Sequence, residues 1–452
     1  MHHTWKYFLS RALPLTLAGA ISISPIWAAR QPSIPEGWTS PFSDVVEEDW
    51  FYSFVAALND QDVVHGYDDG RFGPNDTTRA GDSMIMVLKA AGSGTISPDP
   101  GEHYAAGYVR YALEKGWLTQ EEVPDDLNGP VSRLFIAHLA AKALGVVPIA
   151  DATPFADVDD SSVTALNRLG ILVGNLVDGQ RLFHPEDSIT RAELSTIVWQ
   201  IQRYAGRTLG EEEYFPFYSF TLQVLDNVPA NSYDNSAFQL RDGRMEYTGD
   251  AQSTVGIDIS YHQGEIDWEK VAADGIDFAM IRGAGRYYGS GKIFEDTQFR
   301  HNLQGAMDAG LDVGVYFFSQ ATTVQEAREE AQFLLQLLEE FPTFDGPVVF
   351  DWENIDYDTA RTDGVDSNTV TAAANVFCQE VEQAGYQPMI YFNRYIAYLH
   401  YNLEDVAQYP FWIAEYGPSP NFRYDFQIWQ YTDSGTVDGI QGPVDMNIGF
   451  RP

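Results

Sequence analysis

The reading of this chain turns on Pro347-Val348-Val349-Phe350-Asp351-Trp352-Glu353. The apolar run at 348–350 suits a strand buried on both faces, as in a parallel sheet. The strand then delivers two carboxylates, Asp351 and Glu353, at its C-terminal end. Side chains at i and i+2 of a strand point the same way, so these two acids share a face while Trp352 points away. An isolated Asp-x-Glu at a strand end is ordinarily a solvated pair, so its meaning depends on what surrounds it.

From residue 255 the surrounding pattern is strand then helix, repeated. Candidate strands fall at 255–260, 278–283, 313–319, 347–353, 388–393, 411–416 and 426–431, with 444–448 closing the series. Helical spacing falls between them at 268–274, 299–309, 324–340 and 369–384. Alternating β and α over about 200 residues argues for a parallel sheet, and about eight strands for a barrel. The later strands have little helix between them, so the barrel is irregular. Asp258 lies near the end of the first strand. Asp445 lies on the last strand, which neighbours the first when a barrel closes. Acids distant in sequence therefore converge at one mouth with Asp351 and Glu353. Clustered carboxylates repel, and the repulsion keeps at least one protonated as a general acid. Such a pair at a barrel mouth is what acid-catalysed glycoside cleavage requires.

The whole chain has 452 residues, a formal charge of −38 and a pI near 4.3. That length implies two or three domains, and the charge excludes nucleic acid as a partner. The single cysteine, Cys378, rules out an intramolecular disulfide. It sits in a helical apolar pattern with Ala372, Val376, Phe377 and Val381, which makes it a core thiol. Residues 1–29 read as an export signal: Lys6 and Arg11 precede an apolar run broken by Pro14 and Pro25, and Trp27-Ala28-Ala29 offers a cleavage site. No later segment approaches ~18 uninterrupted apolar residues, so no transmembrane segment is expected.

The first half carries a degenerate threefold repeat, at about 40–92, 100–146 and 153–203. Phe42-Ser43-Asp44-Val45 opens one unit and Phe155-Ala156-Asp157-Val158 another. Each unit runs through a helix and a Gly-rich turn to a Thr/Ser-Arg helix start, where the hydroxyl can cap. The starts are Thr78-Arg79-Ala80, Ser132-Arg133 and Thr190-Arg191-Ala192-Glu193. The middle copy lacks the Phe-x-Asp-Val opening, and Gly81 stands where the third copy has Glu193. Residues 204–250 form a linker; its aromatic cluster and an Asp242-Gly243 turn predict a short β element packed beside the second domain.

These repeats resemble the S-layer homology repeat, usually present as three copies in a small helical trefoil. The resemblance implies attachment to an anionic secondary cell-wall polymer, with Arg79, Arg133 and Arg191 near the ligand, since an arginine fork suits carboxylate recognition. The second half, 251–452, closely resembles glycoside hydrolase family 25, the N-acetylmuramidases sometimes called Chalaropsis-type lysozymes. The residues that carry the likeness are Gly256-Ile257-Asp258-Ile259-Ser260-Tyr261-His262-Gln263-Gly264, Gly314-Val315-Tyr316-Phe317-Phe318, Phe350-Asp351-Trp352-Glu353, Trp412-Ile413-Ala414, Trp429-Gln430-Tyr431 and Val444-Asp445-Met446-Asn447.

The resemblance implies an α/β, irregular TIM-like barrel that cleaves the β-1,4 bond between N-acetylmuramic acid and N-acetylglucosamine in peptidoglycan glycan strands. Glu353 is then the proton donor, and Asp258, Asp351 and Asp445 stabilise charge, orient substrate or activate water. Retaining carboxyls stand ~5 Å apart and inverting ones ~6.5–9.5 Å; a third route uses the substrate's own acetamido group. Tyr316, Tyr391 and Trp412 can stack on sugar, and Arg282 can bind substrate or neutralise the acids. The histidines show no metal-ligand spacing, so neither metal nor cofactor is expected. The chain reads as secreted and attached to the cell wall. Two other readings stand beside this one: a non-catalytic surface glycan-binding protein and a chitin-directed hydrolase.

Overall fold

A computed structural model describes residues 31–150, 153–177, 180–206, 213–342, 344–355 and 358–450; the expected export signal at 1–29 lies outside them. The first half is mainly helical: α1 Tyr52–Asp60, α2 Ala80–Ala90, α3 Ala106–Glu114, α4 Arg133–Leu144, α5 Ser161–Arg168 and α6 Arg191–Ala205, with one hairpin of β1 Asn175–Val177 and β2 Gln180–Leu182.

Each repeat satisfies the free N–H groups at another repeat's helix start, and the ring closes. Ala80 and Gly81 donate to Gly129 O and Leu127 O, Arg133 and Leu134 to Asp187 O and Pro185 O, and Arg191 and Ala192 to Asp76 O and Pro74 O. Helix-terminal donors that would otherwise be orphaned thus become the glue of a threefold assembly. The recurring Phe-x-Asp-Val has a local cause. Asp44 accepts from Phe72 N and Gly73 N, at 2.6 and 2.9 Å, and Asp157 accepts from Phe183 N and His184 N, both at 2.7 Å. Thr190 and Glu193 form a capping box on α6. Gly81 replaces that glutamate because the second repeat presses against it: a Cβ there would meet Ala105 Cβ at 3.0 Å and Leu127 O at 3.2 Å.

The linker is structured and fastened to the second half. It holds two hairpins, β3 Tyr214–Phe217 with β4 Phe220–Gln223 and β5 Phe238–Arg241 with β6 Arg244–Tyr247. Asp242 and Gly243 take φ of 49° and 79° at the second turn, the left-handed geometry that suits a tight hairpin. Tyr233 stacks on Phe450 at 4.1 Å, and Asn231 N donates to Arg423 O.

The second half closes into an eight-stranded barrel. Its strands are β7 Ser253–Ile259, β8 Phe278–Arg286, β10 Asp312–Ser319, β11 Pro347–Trp352, β12 Gln387–Asn393, β13 Phe411–Ala414, β14 Ile428–Gly435 and β15 Val444–Phe450; β9 Ile293–Glu295 is a short antiparallel addition to the end of β8. Helices α7 Trp268–Ala273, α8 Phe299–Asp308, α9 Val324–Leu338, α10 Ser367–Gln383 and α11 Arg394–His400 join them. β15 pairs with β7, and β10 with β8, completing the ring. One expectation is corrected. The sheet is not parallel throughout: β15 runs antiparallel to both β14 and β7, because only a short connection separates it from β14 and no helix is available for a crossover.

Alternation divides the core as the opening stretch predicts. Val348, Phe350 and Trp352 face the helices, while Val349 joins Met280, Tyr316, Met389, Trp412 and Ile428 inside the barrel. Trp352 is fully buried, and its indole N–H donates to Ala321 O. Gly256 is required by a close approach: a Cβ there would lie 2.1 Å from the Phe278 ring. Cys378 is buried in α10.

Candidate active site

The interior row that begins with Val349 continues to Asp351 and then to Glu353, one residue beyond the strand. Both open into a cleft of about 270 Å³ at the barrel mouth. All eight barrel residues expected at a site line this cleft: Asp258, Arg282, Tyr316, Asp351, Glu353, Tyr391, Trp412 and Asp445. Asp445 reaches the same mouth from the beginning of β15 because that strand runs in the opposite sense. The pairing sets Asp445 directly across from Asp258.

The acids differ in environment. Asp258 is 7% exposed, and its Oδ2 accepts from Gln430 Nε2 and Asn447 Nδ2, both at 2.8 Å. Burial pushes its carboxyl up to about 6, against the pull of those two donors, and the nearby Glu353 charge adds to the rise. Asp351 is 4% exposed, and burial holds its carboxyl well above the usual range. The charges of Glu353 and Asp258 and a side-chain hydrogen bond with Glu353 raise it further. Asp351 Oδ1 has no partner among the described residues. Asp445 is pushed up to about 8 by burial and then by Asp258. Glu353 is half-buried, the more open member of the Asp351–Glu353 pair. Asp445 is likewise half-buried, so such a cluster holds protons near neutral pH with two of its carboxyls, Glu353 and Asp445, open to a ligand.

Arg282 supplies the opposing charge. Its Nε donates to Asp296 at 2.8 Å, while its buried Nη2 has no partner among the described residues. The guanidinium lies over the ring of Tyr261, 5.0 Å from the centroid. Burial keeps the phenols of Tyr316 and Tyr391 well above their ordinary range, so both stay protonated hydrogen-bond donors. Trp412 packs edge-on to Tyr391 at 4.7 Å and to Tyr316 at 6.0 Å.

Several residues that hold this arrangement were given no role from the sequence, although Gln430 and Asn447 lie within the motifs that carry the family likeness. Gln430 accepts from Tyr391 Oη and Tyr416 Oη, at 3.3 and 3.2 Å, while donating to Asp258. Asn447 accepts from Trp412 Nε1 at 2.8 Å and likewise donates to Asp258. Asp258 therefore ends two relays that begin on aromatic side chains. The available signal was parity, since Asn447 stands two residues from Asp445 on one strand face. Gln320, fully buried, donates to Glu353 O at 2.7 Å and accepts from Thr362 Oγ1, which fixes the backbone from which the glutamate projects.

The three repeat arginines part company. Arg79 is exposed, and with Arg191, His65, Tyr67 and Asp82 it lines a groove of about 430 Å³ between the first and third repeats. Arg133 does not line that groove. It is 8% exposed, donates to Phe183 O, and pairs with Glu193 at 2.5 Å. Arg191 makes the equivalent bond to Phe72 O but keeps a partly open side. Among the described residues Arg79 makes no such bond to a phenylalanine carbonyl, and its side chain meets the Tyr104 hydroxyl of the middle repeat instead.

The family model of glycosyl hydrolases family 25 matches residues 257–440, and that of the S-layer homology domain matches residues 41–79. The chain is 30% identical over 244 residues to the uncharacterized protein YegX of Escherichia coli K12, covering 51% of this chain and 80% of that one. It is 28% identical to the autolytic lysozyme of Clostridium acetobutylicum, over 42% of this chain and 54% of the relative. It is also 26% identical to lysozyme M1 of Streptomyces globisporus, over 46% of this chain and 71% of the relative. A closed barrel with four carboxyls at its mouth, the family model across residues 257–440 and the likeness to these relatives make this chain a member of glycosyl hydrolases family 25, with an S-layer homology domain ahead of the barrel.

Proposed function

We propose that the chain is an exported, wall-anchored N-acetylmuramidase that cuts the β-1,4 bond between N-acetylmuramic acid and N-acetylglucosamine in peptidoglycan. The observation that carries this reading is the half-open Glu353 beside two buried carboxyls, Asp258 and Asp351, with the half-buried Asp445 across from Asp258, all three aspartates raised by burial. Glu353 protonates the glycosidic oxygen as the bond to the anomeric carbon breaks. Asp258, pushed only to about 6, provides the negative charge that an oxocarbenium-like transition state requires, while Asp351 and Asp445, held higher, keep their protons at neutral pH and orient the sugar. The two amide relays hold Asp258 rigid, and Arg282 limits the repulsion among the acids. The lysozymes of Clostridium acetobutylicum and Streptomyces globisporus support peptidoglycan as the substrate.

The bond is identified by digesting purified peptidoglycan and reducing the products with borohydride. Muramitol is the expected new end, whereas glucosaminitol would assign the cut to the other linkage. Comparable turnover of chitin oligomers would move the substrate class to chitin.

The anchor rests on the groove of Arg79 and Arg191, where a forked, partly open cation pair suits an anionic wall polymer. The full chain is expected to sediment with cell walls and to stay in solution with walls stripped of that polymer. Arg79→Gln, at an exposed site, should weaken retention about tenfold, the scale of one hydrogen bond to a charged group. A chain that stays soluble with polymer-bearing walls would overturn the anchor.

A further inference from the structure

The first helix of each repeat ends two residues before a residue in the left-handed conformation: Asp62 (φ 59°), Gly116 (φ 69°) and Gly170 (φ 69°). The three helix ends are therefore equivalent positions, and they hold Asp60, Glu114 and Arg168. In the first two repeats the position is an exposed acid; in the third it is a half-buried arginine, and there the helix ends against the barrel. Arg168 Nη1 donates to Tyr401 O at 3.2 Å, and its Nη2 donates to Ser367 Oγ at 2.8 Å and to Leu399 O. Ser367 Oγ in turn donates to Leu399 O at 3.1 Å. These carbonyls close α11, where a helix leaves its acceptors without partners of its own and a cation is favoured.

The two gripped carbonyls flank His400, which is buried against the strand that carries the acids. Its ring lies 5.7 Å from that of Trp352, and its Nε2 accepts from Asn354 Nδ2 at 3.1 Å. Trp352 and Asn354 are the residues on either side of Glu353, and Gln320 holds the Glu353 carbonyl between them. The backbone that projects Glu353 is thus clamped from β10 on one side and from α11 on the other. The α11 side is fixed by a side chain of the third repeat. That repeat also pins the start of α10, through Ser367 N to Thr153 O at 3.0 Å and Asn368 Nδ2 to Pro154 O at 2.7 Å. A contiguous set of packed and hydrogen-bonded groups therefore runs from the repeat to the proton donor, the kind of path that carries energetic coupling.

We propose that Arg168 is a positioning residue for Glu353: by fixing the end of α11, and through it His400 and Asn354, the third repeat sets the backbone from which the acid reaches the glycosidic oxygen. This inference rests on the reading of Glu353 as the proton donor. It makes the third repeat and the barrel one catalytic unit, and it accounts for an arginine where the other two repeats carry acids.

The test measures turnover of the full chain on soluble peptidoglycan fragments, where wall attachment plays no part. Arg168→Gln should lower kcat about tenfold with KM unchanged, within the roughly 10²-fold that a 1 Å misplacement can cost. Arg168→Lys, which keeps a cation at the carbonyls, should recover most of that loss. In a Glu353→Gln background Arg168→Gln should cost nothing further, because the proton it positions is gone; a general structural defect would persist there. Asn354→Ala cuts the same path at its barrel end. It should match Arg168→Gln, and it carries the test alone if Arg168→Gln does not fold. A wild-type kcat in either single variant, or an undiminished loss in the Glu353→Gln background, would overturn the proposal. A Glu353→Gln chain as fast as wild type would instead overturn the reading of Glu353 on which it rests.

Discussion

Glu353→Gln is expected to slow reducing-end release from purified peptidoglycan by about 10²–10⁴-fold with little change in KM, the range that positioned general acids contribute. Glutamine has nearly the same shape and can still hydrogen-bond to the Asp351 carboxyl, and Gln320 still holds the backbone through Glu353 O. The substitution therefore removes the transferable proton and leaves the cleft in place. Of the acids lining the cleft, Asp351 and Asp258 are nearly closed to solvent, at 4% and 7%, whereas Glu353 is half open. A donor must reach the glycosidic oxygen, and Glu353 has the most open approach of these three. The rate comparison is made on one peptidoglycan preparation, with folding of the variant followed by its thermal midpoint. Equal rates for variant and wild type would remove Glu353 from this role. Binding without reducing-end release in the wild type would favour a non-catalytic glycan-binding chain.

How far the sequence discloses this site depends on how local each cause is. Strand parity is local, so the shared face of Asp351 and Glu353 and the outward Trp352 were legible. The capping box at Thr190 and Glu193 was legible for the same reason. Strand direction is not written in periodicity, and β15 was expected parallel although it enters the mouth from its start. Gln430 and Asn447 look like ordinary polar strand residues; their importance arises only when β14 and β15 bring both amides onto Asp258 Oδ2. Arg282 was legible as a cation near the acids, but its partner Asp296 lies beyond β9 and left no pattern. The three repeat arginines are equivalent in sequence. They differ in space because each packs on another repeat's turn, and only two of those turns supply a phenylalanine carbonyl.

Asp258→Asn is expected to stabilise the barrel at neutral pH and to have little effect near pH 4. Burial holds the folded carboxyl near 6, against 3.8 for an unperturbed aspartate. Between those values the folded chain keeps a proton that the unfolded chain has released. The folded state then binds more protons, so stability falls as pH rises through this window and stays reduced above it. A rise of about two pH units corresponds to roughly 3 kcal/mol of lost stability at pH 7. The substituted asparagine cannot ionise, and its carbonyl oxygen can accept from both Gln430 and Asn447, so the variant escapes most of that penalty. The barrel transition in calorimetry of the full chain should rise by several degrees at pH 7 and coincide with wild type near pH 4. Asp445, pushed up to about 8 by burial and then by Asp258, extends the wild-type decline to higher pH, and that extension shrinks in the variant, which lacks the Asp258 charge. A variant destabilised equally at pH 4 and pH 7 would mean that the two amide bonds to the carboxylate outweigh its burial. The stabilising outcome would identify Asp258 as a charge the fold holds at its own expense, which is how an active-site carboxylate behaves.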